Sequence, residues 1–167
     1  MKRIMTTRLT TINQTTTIAY IVTALMLSTA VIYFIVASQD YIGLSQSVSA
    51  SISSQNSISS SKDALADLIG TTNEMIFFII VGIAYIPVAL WMLVKRKHYS
   101  KPPYIVAIIG SAALIIFYIA TRTVNLPTIG LQTDVGSIDI AAKVLQSAVI
   151  AGSLVVIRRS KVMLKEL

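Results

Sequence analysis

The polarity pattern divides the chain into four long apolar segments separated by polar ones. The apolar segments cover residues 16–38, 75–94, 104–120 and 137–157. Each is about as long as a helix must be, at ~1.5 Å per residue, to cross the ~30 Å hydrocarbon layer of a bilayer. Soluble helices rarely stay apolar around their whole circumference over such a length. The pattern therefore predicts an all-α membrane protein with four transmembrane helices in one domain, residues 1–167.

The composition favours the same class. Of the 167 residues, 54% are hydrophobic and only 13% are charged, whereas soluble domains are about 25% charged. The formal net charge of +7 is not taken as a sign of nucleic-acid binding, because the basic residues cluster beside the apolar spans, where membrane topology explains them. The absence of cysteine excludes disulfides, thiolate metal sites and a cysteine nucleophile.

Cationic side chains indicate which side of the membrane each polar segment occupies. They are concentrated in the N-terminal segment, between the second and third spans, and at the C-terminal end. In chain order these residues are Lys2, Arg3 and Arg8; Lys95, Arg96, Lys97 and Lys101; and Arg158, Arg159, Lys161 and Lys165. The positive-inside rule therefore predicts a multi-pass protein of the cell membrane with both termini in the cytoplasm. The middle cluster also suits anionic lipid, but topology alone accounts for it.

The segment at residues 39–73 is rich in serine and is predicted to lie outside the cell as a loop. Within it, Leu44, Val48 and Ile52 recur every four residues, which favours an amphipathic helix on the outer surface or on a partner. Alternating polarity over the same stretch keeps a strand open as the alternative. Gly70 is predicted to end a helix before the second span begins.

A group of charged and polar side chains lies at the outer ends of the last two spans. Its members are Arg122, Asp134, Asp139, Lys143 and Gln146. Asp139 and Lys143 are four residues apart on one helix face in the favourable order, and an unpaired cation inside the bilayer costs roughly 2.5–3.5 kcal/mol. We therefore expect Lys143 to pair with Asp139, and Arg122 to reach Asp139 or Asp134. The group is predicted to be a structural clamp or partner contact, with an ion or proton site as the alternative.

The same region carries a resemblance. The heptapeptide Thr-Arg-Thr-Val-Asn-Leu-Pro at residues 121–127, followed by Val135-Gly136 and by Asp-Ile-Ala-Ala-Lys at residues 139–143, resembles a motif of small, uncharacterised four-span prokaryotic membrane proteins. The resemblance covers residues 104–157. It departs at Asn125, where the motif has glycine, and at Gln146, where such proteins often have an acid. It implies a four-span fold and no established activity.

The remaining residues offer no catalytic constellation. His98 is the sole histidine and lies in the cytoplasmic basic run, so we expect no metal, no haem and no other cofactor. The leading hypothesis is a non-catalytic accessory or structural subunit of a membrane complex, of a respiratory or an ammonia- or methane-monooxygenase type. Its expected partners are other integral membrane subunits and lipids, with no nucleic acid. The alternative is a small transporter or channel that uses the shallow Arg/Asp/Lys cluster; an enzyme is not expected.

Overall fold

The described part of the chain folds as four long α-helices. The computed structural model describes residues 2–53, 61–95, 100–123 and 136–165, and it describes side chains over residues 14–49, 65, 68–95, 100–123 and 136–160. The helices are α1 (Lys2–Ser53), α2 (Ser61–Lys95), α3 (Pro102–Thr123) and α4 (Ser137–Lys165). Stretches long and apolar enough to cross a membrane are Gln14–Ser49, Leu68–Lys95, Pro102–Thr123 and Ser137–Ser160. The four predicted spans are therefore confirmed as helices, and the described residues contain no strand.

The helices pack around a common interior. α1 lies against α2 and α4, and α3 lies against α4 and, less extensively, against α2. Buried positions alternate between steps of three and four residues, most regularly on α4, where they are Ala142, Gln146, Val149, Ser153, Val156 and Ser160. This spacing is typical of left-handed bundles of nearly parallel or antiparallel helices.

The distribution of polarity differs from that of a soluble bundle. Among the described residues the interior contains, besides its apolar core, eight buried polar residues, which are Thr15, Thr23, Thr29, Ser111, Thr121, Gln146, Ser153 and Ser160. The outer surface carries large aliphatic side chains, for example Ile80, Ile109 and Ile116, each at least 60% exposed. The hydroxyls of Thr23 and Thr29 donate to carbonyls of their own helix at 2.9 and 2.8 Å. An aliphatic surface of this kind suits contact with lipid. The buried hydroxyls are tolerated because they are hydrogen-bonded within their own helix.

The serine-rich segment is largely helical. Residues 39–53 continue α1, residues 61–73 begin α2, and residues 54–60 lie outside the described part of the chain. The prediction that Gly70 ends a helix was wrong, because α2 passes through it. A glycine in a helix interior lowers helix stability by only about 1 kcal/mol relative to alanine. Apolar positions flank Gly70 on both sides, and the helix continues through it. The hydroxyl of Thr72 donates to the Leu68 carbonyl at 2.7 Å inside this continuous helix.

Backbone hydrogen bonds mark where α3 and α4 begin. The carbonyl of Lys101 accepts hydrogen bonds from the amides of Tyr104 and Ile105, both at 3.1 Å, and Pro102 follows it as the first helical residue. Proline suits that position because its missing N–H would have no partner in the first turn. The Gly136 carbonyl accepts from the Ile140 amide at 3.2 Å and opens α4 in the same way.

Glycine allows α4 to approach α1 closely at Gly152. A Cβ added at Gly152 would lie 2.5 Å from Cγ2 of Val22, a distance that real side chains do not adopt. Val22 is itself fully buried, so it has little room to move. By contrast, a Cβ at Gly110 on α3 would meet nothing within 4 Å. Of these two glycines, only Gly152 is required by helix packing.

We expect Gly152→Ala to lower the free energy of unfolding by about 1–3 kcal/mol, because the added methyl group overpacks the contact with Val22. Gly110→Ala is the matched control and is expected to leave stability unchanged or raise it by up to about 1 kcal/mol. The measurement is thermal or denaturant unfolding of the purified protein in detergent. The double variant Val22→Ala/Gly152→Ala should be more stable than the sum of the single effects, and strict additivity would contradict the proposed contact.

Candidate functional site

An ion pair joins the end of α3 to the start of α4, on the side predicted to face outward. Arg122 Nη2 donates to Asp139 Oδ2 at 2.9 Å, and the two side chains are 15% and 31% exposed. Arg122 lies in the last turn of α3 and Asp139 in the first turn of α4. The helix dipoles favour a cation and an anion at those respective ends. The pair therefore holds the two helix ends together at the predicted outer boundary of the membrane.

Lys143 lies one turn further along α4 than Asp139, and it is held differently from the predicted pairing. Its ammonium donates to Gln146 Oε1 at 3.3 Å and lies 4.8 Å from the centroid of the Tyr118 ring. The ring of Tyr33 is 6.0 Å away. Because Arg122 donates to Asp139, Lys143 is stabilised instead by an amide oxygen and by aromatic faces, which attract cations through the ring quadrupole.

Gln146 lies at the centre of a polar network that reaches all four helices. Its side chain is fully buried, and Nε2 donates to the hydroxyl of Tyr33 on α1. The Tyr85 hydroxyl on α2 is 3.5 Å from the same nitrogen and 3.1 Å from the Ser111 hydroxyl on α3. Together with Lys143 these residues form the interior polar network. Each hydrogen bond of this kind inside a membrane contributes roughly 0.6–2 kcal/mol.

Sequence reasoning identified part of this site and missed part of it. The structure brings together Arg122, Asp139, Lys143 and Gln146 as described above, whereas Asp134 lies outside the described residues. Tyr33, Tyr85 and Ser111 were not predicted as members of the network. The available signal was the position of two tyrosines well inside their spans, because tyrosine in membrane helices is more usual at the interface.

The basic cluster predicted at the cytoplasmic end is separate from this network. Lys95 ends α2, and Lys101 precedes the first residue of α3. On those helices the interior polar network is reached only at Tyr85 and Ser111, well inside α2 and α3. Arg96 and Lys97 lie outside the described residues. Near the same end, Arg159 Nη1 donates to Gln14 Oε1 at 3.2 Å and joins α4 to α1.

A pocket beside Lys143 is lined by residues of all four helices. Glu74, Asp139 and Lys143 contribute charged side chains to its lining, and five aromatic rings line much of the remaining wall. Asp40 on α1 has a buried Oδ2 with no hydrogen-bond partner among the described residues. Among those residues, no group of three or more His, Asp or Glu side chains is arranged to hold a metal ion. The pocket lining thus combines charged groups with aromatic rings.

Comparisons with known proteins do not assign the chain to a family. No protein-family model matches the chain, and neither a curated protein nor a solved structure matches it. The resemblance of residues 121–143 to small four-span prokaryotic proteins stays a prediction. The fold and the polarity of its surface indicate a class: a helical membrane protein with four candidate spans.

We expect Gln146→Leu to lower the free energy of unfolding by about 1–2 kcal/mol, because Lys143 and the Tyr33 hydroxyl both lose a hydrogen-bond partner. The adjacent Ser147→Ala is the control. The Ser147 hydroxyl is exposed and donates to the Lys143 carbonyl of its own helix, so its loss should change stability by less than about 0.5 kcal/mol. Denaturant unfolding in detergent measures both. Equal stability of Gln146→Leu and the parent would contradict a stabilising network.

Proposed function

We propose that this chain is a non-catalytic accessory or structural subunit of a multi-subunit membrane complex, such as a respiratory or monooxygenase-type complex. One observation carries the proposal. The outer ends of α1 and α2 continue as helix beyond the predicted spans and expose apolar side chains there. These side chains are Tyr41, Ile42, Val48, Leu65 and Ile69, each at least 40% exposed. We call residues 41–49 and 65–69 the outer extension.

The length of α1 supports placing the outer extension outside the hydrocarbon layer. The candidate span Gln14–Ser49 has 36 residues, which at ~1.5 Å per residue is about 54 Å long. The candidate span of α3 has 22 residues, which is about 33 Å and close to the ~30 Å hydrocarbon thickness. α1 is therefore longer than a single crossing requires. Apolar side chains on its outer end would face water unless another protein covers them.

The contacts inside the bundle support a structural, non-catalytic role. Arg122 and Asp139 pair with each other, and Lys143 contacts Gln146 and Tyr118. The Arg122–Asp139 pair and the Lys143–Tyr118 contact join α3 to α4, and the pair neutralises two opposite charges. An interior stabilised in this way leaves the aliphatic outer surface for lipids and for the helices of other integral membrane subunits.

The proposed orientation has both ends of the chain in the cytoplasm. The basic residues of the three predicted cytoplasmic segments support it through the positive-inside rule. In this orientation the outer extension and the Arg122–Asp139 pair lie toward the outer side of the cell membrane, and the interior polar network lies deeper in the bundle.

The absence of cysteine from the chain permits a direct test of orientation. We expect Ser45→Cys to react with a membrane-impermeant maleimide in intact cells, because Ser45 is an exposed residue of the outer extension. Ser100→Cys, between α2 and α3, should react only after the membrane is permeabilised. The parent chain provides the unlabelled control. Labelling of Ser100→Cys but not of Ser45→Cys in intact cells would show the opposite orientation.

The subunit proposal is tested by purification from native membranes in mild detergent, with mass spectrometry of the proteins that co-migrate. We expect stoichiometric integral membrane partners with the parent chain. The double variant Ile42→Asn/Leu65→Asn should lose most of them, since it makes two exposed apolar positions polar. Ser47→Asn, at an exposed polar position of the same extension, should retain them. Migration of the parent alone or as a homo-oligomer, or partner retention by the double variant, would argue against docking through this surface.

A further inference from the structure

We propose that water enters the bundle from the predicted outer side as far as Lys143 and stops at Gln146. This inference concerns the interior of the bundle and does not depend on the subunit proposal. It starts from the pocket beside Lys143, whose lining includes the charged residues Glu74, Asp139 and Lys143. Asp139 lies in the first turn of α4, and Lys143 lies one turn, or about 6 Å, further along the helix.

The charge of Lys143 is only partly compensated by its contacts within the protein. Among the residues that the structure describes, the Lys143 ammonium forms no ion pair, and its hydrogen bond goes to the neutral amide of Gln146 at 3.3 Å. The ring centroids of Tyr118 and Tyr33 lie 4.8 and 6.0 Å away. An ammonium group has three N–H donors, and Gln146 accepts from one of them. Ionisable side chains inside membrane proteins face a partner or a water-filled cavity, and Lys143 borders a cavity.

The pocket has room for water. Its volume is about 50 Å³, and one water molecule needs roughly 10–15 Å³, so roughly three to five molecules fit. Cavities lined only by apolar groups stay dry. This lining is mixed, because its aromatic and aliphatic wall is interrupted by two carboxylates and an ammonium group. Such groups supply the hydrogen bonds that a buried water requires.

The carboxylates can contact water although they already have partners. Asp139 Oδ2 accepts from Arg122, but an ionised carboxylate has about four acceptor positions on its two oxygens. Glu74 likewise keeps acceptor positions beyond the interaction that it makes within the chain. Since Asp139 is paired and the opposite charges of Glu74 and Lys143 cancel, the lining favours a neutral polar molecule over an ion.

The bundle is closed to water beyond this pocket. The Gln146 side chain is fully buried and donates a hydrogen bond to Tyr33. Further inward, Met26 and Val22 are at most 2% exposed, and Gly152 lies too close to Val22 to admit even a methyl group. Closely packed interiors hold few voids as large as a water molecule. The hydrated region is therefore closed at its inner end and does not form a path across the membrane.

Hydroxyl-radical labelling of the full-length protein in lipid nanodiscs tests the proposal, because radicals formed from water oxidise the side chains that water contacts. Tyr33 and Tyr104 are a matched pair, since both are 3% exposed but only Tyr33 lines the pocket. We expect Tyr33, followed by mass spectrometry of its peptide, to be oxidised about fivefold faster than Tyr104. Equal rates would show that the pocket is dry and would overturn the proposal.

Two variants test whether the charge of Lys143 holds the water. Lys143→Met should lower the oxidation of Tyr33 by about fivefold, whereas Lys143→Arg, which keeps the charge, should leave it unchanged. Tyr104 is the control in both, because a rise in its oxidation would reveal a disrupted bundle. In an intact bundle, undiminished oxidation of Tyr33 in Lys143→Met would contradict the hydration of Lys143.

Met26 tests the inner limit of the water. It lies on α1 between Tyr33 and Val22 and is 2% exposed. In the parent chain it should stay unoxidised, although methionine is readily converted to its sulfoxide. Gln146→Ala removes the side chain that closes the pocket and should raise the oxidation of Met26 by about fivefold. Oxidation of Met26 in the parent at the rate of Tyr33 would show that water passes Gln146.

Discussion

A buried amide in a membrane-embedded bundle must find its hydrogen-bond partners within the protein, because lipid offers none. Gln146 meets this requirement with Tyr33 and, at longer distance, Tyr85, while its oxygen accepts from Lys143. The Tyr85 hydroxyl is in turn hydrogen-bonded to the Ser111 hydroxyl. These bonds form only when all four helices present particular faces to the centre. The rotation of each helix about its axis is therefore constrained by one glutamine.

Packing toward the other end of the bundle depends on shape. At Gly152 the backbone of α4 approaches Val22 so closely that even a methyl group would collide with it. In lipid, apolar side chains gain little from contacting each other instead of acyl chains, so association relies on close van der Waals contact and on hydrogen bonds. The bundle uses both means at different depths. Polar bonds join the four helices around Gln146, and a close helix approach joins α1 to α4 further along α4, at Gly152.

The side of the molecule that is predicted to face outward carries several contacts of charged side chains. The Arg122–Asp139 pair joins two helix ends, and Lys143 contacts aromatic rings. Glu74 lines the same pocket as Lys143. The outer extension continues α1 and α2 past this region.

The sequence by itself determined the class of the protein and the approximate positions of its spans. A run of about 20 apolar residues is a local property, and in a bilayer such a run is stable only as a helix that bonds its own backbone. It also indicated that Arg122, Asp139, Lys143 and Gln146 act together. Only the tertiary structure decided that Arg122 forms the ion pair with Asp139 and that Lys143 contacts Gln146 and Tyr118. Those choices, like the close contact at Gly152, depend on how separate helices rotate and pair, which no single helix encodes locally.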